Sequence, residues 1–201
     1  MTLRPFVPRI IGIGGTARPN STSERAVACA LRCAENLGAT TCLFDGQFIS
    51  GLPLYVPDRP TRNADELEFV KSVRECHGII VGTPGYHGCL SGPIKNALDL
   101  LEDTARDHKP YLDGRAFGCV VTAYGWQACG TTLVTLRVVA HALRAWPTPF
   151  GAALNSSESL FEPDGGCVDE KTEAQLSCVA SQVVEFARFR AAGLGAEAKG
   201  N

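Results

Sequence analysis

The feature that most limits what this chain can fold into is an alternation: short apolar runs, each ending at a glycine or another small residue, are followed by segments of helical period. RIIGIGG at 9–15 is such a run, and after it Ala26/Val27, Ala30/Leu31, Ala34 and Leu37 recur every three or four residues. TTCLFD at 40–45 follows the helix-ending Gly38, and the proline-rich LPLYVPDRP leads into a helical stretch over 64–75. GIIVGT at 78–83 makes a third strand, and Leu90, Ile94, Leu98 and Leu101 align on one stripe after it, with Ala97 beside them. GRAFGCVVTA at 114–123 makes a fourth strand, TLVTLRVVAHALRAW a fourth helix stopped at Trp146-Pro147, and PFGAALN a fifth strand. A last helix is expected over 169–190, with Leu176, Val179, Val183, Phe186 and Ala187 facing inward.

Five βα units require a parallel sheet, because each parallel crossover needs a helix and runs right-handed. The expected class is therefore α/β, doubly wound and five-stranded, with helices on both faces. At 201 residues the chain suits one domain, expected over 1–192, followed by a disordered tail at 193–201. In such sheets ligands bind beyond the carboxyl ends of the strands, where the strand order reverses. That directs attention to the loops at 14–23, 83–90 and 123–130.

Composition removes several function classes. A net charge of -2 with 20% charged residues leaves no basic excess for a phosphate backbone, so no nucleic acid partner is expected. No apolar run reaches the ~18 residues of a membrane span, and MTLRPFVPRIIGIGG breaks at Gly12 before a signal-peptide core forms; the expected location is the cytoplasm. The nine cysteines include no CxxC pair and no zinc-ligand spacing with histidine, which fits free thiols and no metal. Cys29 and Cys33 lie one helical turn apart and read as small core residues. Cys89 and Cys129 would both fall near a ligand beyond the third and fourth strands, as a redox pair or as ordinary buried thiols.

The first loop admits two readings. GIGGTA at 12–17 matches G-x-G-x-x-A, and Asp45 ends the second strand where a dinucleotide fold places its ribose-binding acid. Against this, Arg18 to Ser23 intervene before the helix, and Ser21 with Glu24 forms an S-x-x-E capping box that starts the helix near residue 22. A long, hydroxyl-rich loop suits a terminal phosphate monoester: Thr16, Ser21, Thr22 and Ser23 offer hydroxyls, Arg18 a bidentate cation, and the helix N-terminus its free amides. In the bland alternative Ser21 merely caps a helix and Arg18 is solvated.

In the second loop, Pro84 stiffens the exit from the strand, while Gly85 and Gly88 remove side-chain bulk so that a flat ligand can lie against the main chain. Tyr86 and His87 could stack on it or cover its rim. A phosphate cradle would need Gly-Lys-Ser/Thr at the helix start; here the sequence is LSGPIKNA, with Lys95 a turn too late.

Taken whole, TPGYHGCLSGPIKNALDLL at 83–101 resembles the T-P-x-Y-x-x-x-x-S/P-G-x-x-K-N-x-x-D signature of the NAD(P)H-dependent FMN reductase family, and GTARPNSTS at 15–23 resembles that family's G-S-x-R-x-x-S phosphate loop. The resemblance covers about residues 9–155 and implies a flavodoxin-like sheet with strand order 2-1-3-4-5. It implies that Thr16, Arg18, Ser21, Thr22 and Ser23 hold the FMN phosphate and that Pro84, Gly85, Tyr86, His87 and Gly88 line the isoalloxazine, with Tyr124 and Gly125 of the third loop beside them. Ser91, Lys95, Asn96 and Asp99 fall at positions that support the loop or a dimer. This chain departs from the pattern at Thr16, which replaces serine; at Gly85, which is expected to leave open space beside the ring; and at Tyr124, Trp126 and Gln127, where relatives carry a barer turn.

The implied activity is hydride transfer from NADPH or NADH to FMN, then delivery of two electrons to an acceptor. That acceptor is free FMN, supplied to a flavin-dependent monooxygenase, or, with FMN tightly bound, a quinone, azo or nitro compound. A flavodoxin-type electron carrier is the alternative from another class. No residue is assigned to acid-base chemistry beyond His87 as a candidate, because the cofactor itself takes the hydride. The family's assembly as a homodimer or tetramer points to the helices at 91–104 and 132–145 as interfaces.

Overall fold

The computed structural model describes residues 6–197. Its parallel sheet runs β2 (Thr40–Phe44), β1 (Arg9–Gly14), β3 (Gly78–Pro84), β4 (Ala116–Ala123), β5 (Trp146–Pro147), and β6 (Ala152–Asn155) also pairs with β4. This is the expected 2-1-3-4-5 order, with the fifth strand split. Ala116 and Phe117 pair with Trp146 and Pro147, and Val120 to Ala123 pair with Ala152 to Asn155. Pro147 and Pro149 cannot donate to a ladder, which suits them to an interrupted edge strand.

The helices are α1 (Thr22–Asn36), α2 (Gly46–Gly51), α3 (Ala64–Glu75), α4 (Gly92–Asp99, continued by a 3-10 turn at Leu100–Thr104), α5 (Trp126–Ala142) and α6 (Glu170–Glu197). Three boundaries differ from expectation. Trp146-Pro147 does not stop α5; the helix ends at Ala142, Arg144 turns left-handed at φ 59, and Ala145 N–H closes back on Ala140 O at 3.0 Å. At its other end α5 begins at Trp126 rather than 132, because Cys129, Thr132, Leu136 and Ala140 form one buried stripe that starts inside the expected loop. Helix α6 continues to Glu197, through the first part of the expected tail; residues 198–201 of that tail lie outside the described residues.

Strand alternation sends side chains to two cores. Ile10, Ile80 and Val120 pack with α1 and α6, while Ile11, Ile13, Ile79, Val81 and Val121 pack on the opposite face, where Phe69, Ile94 and Leu136 of α3, α4 and α5 meet them. Helix α1 lies close on the sheet. A Cβ at Gly12 would come 2.6 Å from Val27 Cγ1, and one at Gly82 would come 2.3 Å from Val27 Cγ2. The Gly12 of the G-x-G-x-x-A match is thus needed for helix-sheet packing. Among the described residues, no helix is long and apolar enough to cross a membrane.

Candidate functional site

Strands β1, β3 and β4 end at the same edge of the sheet, and their loops meet there in a cleft of about 270 Å³. It is lined by Thr16, Arg18, Ser21, Thr22 and Ser23 from the first loop, Pro84, Gly85 and Tyr86 from the second, and Tyr124 from the third, with Thr122, Ala123 and Ser156 completing it. The cleft lies where β1 and β3 part to opposite sides of the sheet order, the switch point at which ligands are expected.

The first loop is built to present donors. Ser21 caps α1: its Oγ accepts from Glu24 N–H at 3.3 Å and lies 3.3 Å from Ser23 Oγ. The reciprocal arm of the capping box is displaced, since Glu24 accepts from Asn20 N–H at 3.2 Å, one residue before the cap, and from Gly46 N–H at 3.1 Å. Glu24 therefore braces the loop against the start of α2. Thr16 Oγ1 accepts from Arg18 N–H at 3.0 Å, and the Arg18 side chain extends exposed at the mouth, in no ion pair among the described residues. Asp45, the ribose-acid alternative, accepts from Phe48 N–H at 2.8 Å as the cap of α2. One oxygen of its carboxylate thus serves that helix.

The second loop is a two-residue turn. Tyr86 N–H bonds Cys89 O at 2.9 Å and Cys89 N–H bonds Tyr86 O at 3.0 Å, with His87 at φ 52 and Gly88 at φ 79. These signs at both central positions make the tight hairpin turn that favours glycine. Gly85 N–H bonds Thr122 O at 2.8 Å, extending the β3-β4 ladder into the loop. Gly85 does not open space as expected. A Cβ there would meet Thr132 Oγ1 at 2.7 Å, Ala123 Cβ at 3.0 Å and Ala128 O at 3.2 Å, so the missing side chain lets the loop sit down on α5.

Not every expected residue lines the cleft. His87 stands exposed at the tip of the turn, Gly88 lies beside it, and Gly125 sits behind the wall at φ 111, its N–H held at 3.0 Å by Asn155 Oδ1. Trp126 is 60% exposed and faces a separate groove with Ala153, Lys171 and Gln175, not the cleft. Cys129 is buried and donates to Leu154 O at 3.3 Å, so it forms no pair with the exposed Cys89. Ser156 was legible only as one of the hydroxyls in NSSES, following a fifth strand whose exit loop belongs to the same edge. Asn96, expected as scaffold, clamps the loop before α3: its Oδ1 accepts from Tyr55 N–H at 2.8 Å and its Nδ2 donates to Pro53 O at 3.0 Å. Lys95 pairs with Asp99 at 2.5 Å on the surface.

This donor set fits a flavin mononucleotide. Thr16, Arg18 and Thr22 line the cleft together with the N-terminal turn of α1, and hydroxyls, a guanidinium and free helix amides suit a phosphate dianion. Pro84 and Gly85 line it beside Thr122 and Ala123 of the neighbouring strand, and Tyr86 and Tyr124, 54% and 83% exposed, line it too.

Comparison with known proteins shows which family the chain is similar to. The chain is 35% identical over 72 residues to an NADPH azoreductase of Bacillus sp. (strain OY1-2), covering 33% of this chain and 40% of that protein. It is 33% identical over 111 residues to the FMN-dependent NADPH-azoreductase of Staphylococcus aureus (strain USA300), covering 54% of this chain and 55% of that protein. The matched segments thus span about half the length, or less, of these curated relatives. In fold it is similar to the flavoenzyme NAD(P)H:(acceptor) oxidoreductase FerB of Paracoccus denitrificans, with a TM-score of 0.73 and 20% identity over 90% of this chain and 97% of that one. It is also similar to an NADH:FMN oxidoreductase in its apo form, with a TM-score of 0.67 and 22% identity over 90% of this chain and 89% of that one. The sequence model of the family described as NADPH-dependent FMN reductase matches residues 8–158, most of the chain, and to that family the chain belongs.

Proposed function

We propose that this protein is an NAD(P)H-dependent flavin oxidoreductase whose FMN sits in the cleft between the first, second and third loops. The observation that carries the proposal is convergence: residues as far apart in sequence as Thr16, Tyr86 and Tyr124 line one cleft at the switch point of the sheet. FMN, when bound, supplies the redox chemistry by accepting a hydride and passing on two electrons. The protein's own part is to hold and expose.

Thr16, Arg18, Ser21, Thr22 and Ser23 would hold the phosphate, with Glu24 keeping their loop in place. Pro84, Gly85 and Tyr86 on one side and Ala123 and Tyr124 on the other would hold the ring. Gly85 packs tightly onto α5, so the backbone under the ring is rigid, while the exposure of Tyr86 and Tyr124 leaves the rim of the cleft open. An open rim lets a nicotinamide and an electron acceptor use the same place in turn, which an electron carrier does not need. The acceptor is a small molecule; azo compounds come first, because the curated relatives are azoreductases. A second copy of the chain is a natural partner through α5, where Val134 and Val138 stand exposed one turn apart.

The test is to purify the protein, load it with FMN and mix it anaerobically with NADPH or NADH. Bleaching of the flavin absorbance, followed by recovery on adding an azo dye or quinone, is the expected result. Recovery only with excess free FMN assigns the protein to supplying a monooxygenase instead, and absence of flavin binding refutes the proposal.

A further inference from the structure

Outside the cleft, thiols gather where the hairpin at 160–168 lies on α1. Cys29 Sγ is 3.4 Å from Cys167 Sγ, a van der Waals contact between sulfurs, and Cys33 follows one helical turn after Cys29. The hairpin is closed by the Phe161–Cys167 bridge, with Val168 N–H on Leu160 O at 3.0 Å. Two arginines of α1 hold it independently of the sulfurs: Arg25 donates to Glu162 O at 3.3 Å and Arg32 to Gly165 O at 2.7 Å. The two thiols are thus kept in register by contacts on either side of them. The chain leading into the hairpin is also a wall of the site, since Ser156 lines the cleft and residues 156–161 line an adjoining polar cavity with Arg18, Thr22 and Arg25.

We propose that Cys29 and Cys167 are a peroxide-oxidisable pair whose disulfide fastens this wall of the cleft to α1. Cys167 is the half-buried member and Cys29 the buried one, so Cys167 meets the oxidant and Cys29 resolves it. The Cys167 sulfur attacks an oxygen of hydrogen peroxide, giving a sulfenic acid and one water. The Cys29 sulfur then displaces the sulfenic oxygen, forming the S–S bond and releasing a second water. Two thiols lose two electrons and two protons, and one peroxide becomes two waters. Closing the bond requires the sulfurs to approach by about 1.4 Å, to the ~2.05 Å of a disulfide. Gly165 and Gly166 at the hairpin tip make that movement available, Gly165 already at φ 88 with nothing near its missing side chain. Cys33 is the competitor one helical turn along α1, but the 3.4 Å sulfur contact of Cys29 is with Cys167. If the protein is a flavin oxidoreductase as proposed, reoxidation of its flavin by dioxygen is a local source of peroxide, but added hydrogen peroxide tests the pair without that reading.

The full-length protein, with and without FMN, is treated with hydrogen peroxide at neutral pH and mapped by mass spectrometry under non-reducing conditions. The expected result is loss of two of the nine thiols, a cross-linked peptide joining Cys29 to Cys167, and reversal by dithiothreitol. A link that closes a segment of 138 residues raises the melting temperature of the oxidised form by about 5–15 °C. C33S retains the cross-link, and C167S and C29A each lose it. Nine thiols surviving, a Cys29–Cys33 bridge in place of the expected one, or conversion to sulfinic acid without a cross-link overturns the proposal. Failure to bind FMN would count against the flavin function and leave the cross-link readout intact.

Discussion

Replacing Gly82 by alanine tests how tightly the proposed phosphate-binding end of the site is tied to the sheet. The new Cβ would stand 2.3 Å from Val27 Cγ2 and 3.0 Å from the backbone oxygen of Ser23. Strand β3 cannot yield, because Gly82 is held in register with Gly14 on one side and Val120 on the other. Helix α1 must move instead, and its N-terminus carries Ser21, Thr22 and Ser23. Overpacking of this kind costs ~1–3 kcal/mol, which in a chain of this size lowers the melting temperature by about 2–12 °C. FMN affinity should fall with it, because the donors of the first loop shift away from the proposed ring-binding strip.

The assay is thermal unfolding together with flavin fluorescence titration, extended to a double-mutant cycle with Val27→Ala. Val27 is fully buried, so Val27→Ala alone leaves a cavity and destabilises. In the Gly82→Ala background it also removes the clashing methyl groups, so the double variant should be more stable than the sum of the single effects by at least ~1 kcal/mol. A Gly82→Ala protein that melts within 1 °C of the parent, or strict additivity with Val27→Ala, would refute the claim that this contact sets the position of α1.

Other consequences are independent of that contact. Arg18→Ala should weaken FMN binding by about 10- to 100-fold, the worth of a charge-assisted hydrogen-bond pair, while riboflavin, which lacks the phosphate, binds as before; equal loss of both ligands in titration would contradict the phosphate role. Asn96→Leu removes both clamps on residues 53–55 and should cost ~1–3 kcal/mol in chemical denaturation, with faster proteolytic cleavage in the 52–60 loop as the local signature. Stability should fall in acid with a known sign. The Arg74 hydrogen bond holds the Asp107 carboxyl below its ordinary value, and the Thr172 N–H does the same for Asp169 at the start of α6. Stability from these groups is complete above the ordinary carboxylate value and disappears as pH falls through the lower folded values. Asp107→Asn should flatten the decline in urea midpoint between pH 5 and pH 3, and an unchanged slope would show that the pair is silent.

Much of the fold was legible because strand and helix are local patterns. The alternation of Ile10 with Ile11, and of Ile79 with Ile80, follows from the two-residue period of a strand, and helix α3 occupies the range its spacing implies. The errors fall where a tertiary contact overrides a local signal. Residues 123–130 were expected as a loop, yet burial of Cys129 against Ala123 and Leu154 extends α5 back to Trp126. Pro147 suggested a helix stop, yet Arg144 ends the helix and leaves Trp146-Pro147 to pair with β4.

The candidate site divides in the same way. Its chemical content, hydroxyls and an arginine in one loop and a glycine-punctuated turn in the next, is written in the order of residues, because donors and backbone freedom belong to residue types. Which of those residues face one another is not. Only the sheet order brings residues 16–23, 84–86 and 122–124 to one edge. Only the packing of α5 against Gly85 reverses the expectation of open space there. Only the fold of the hairpin onto α1 brings Cys167 to Cys29, across 138 residues of chain that no local pattern connects.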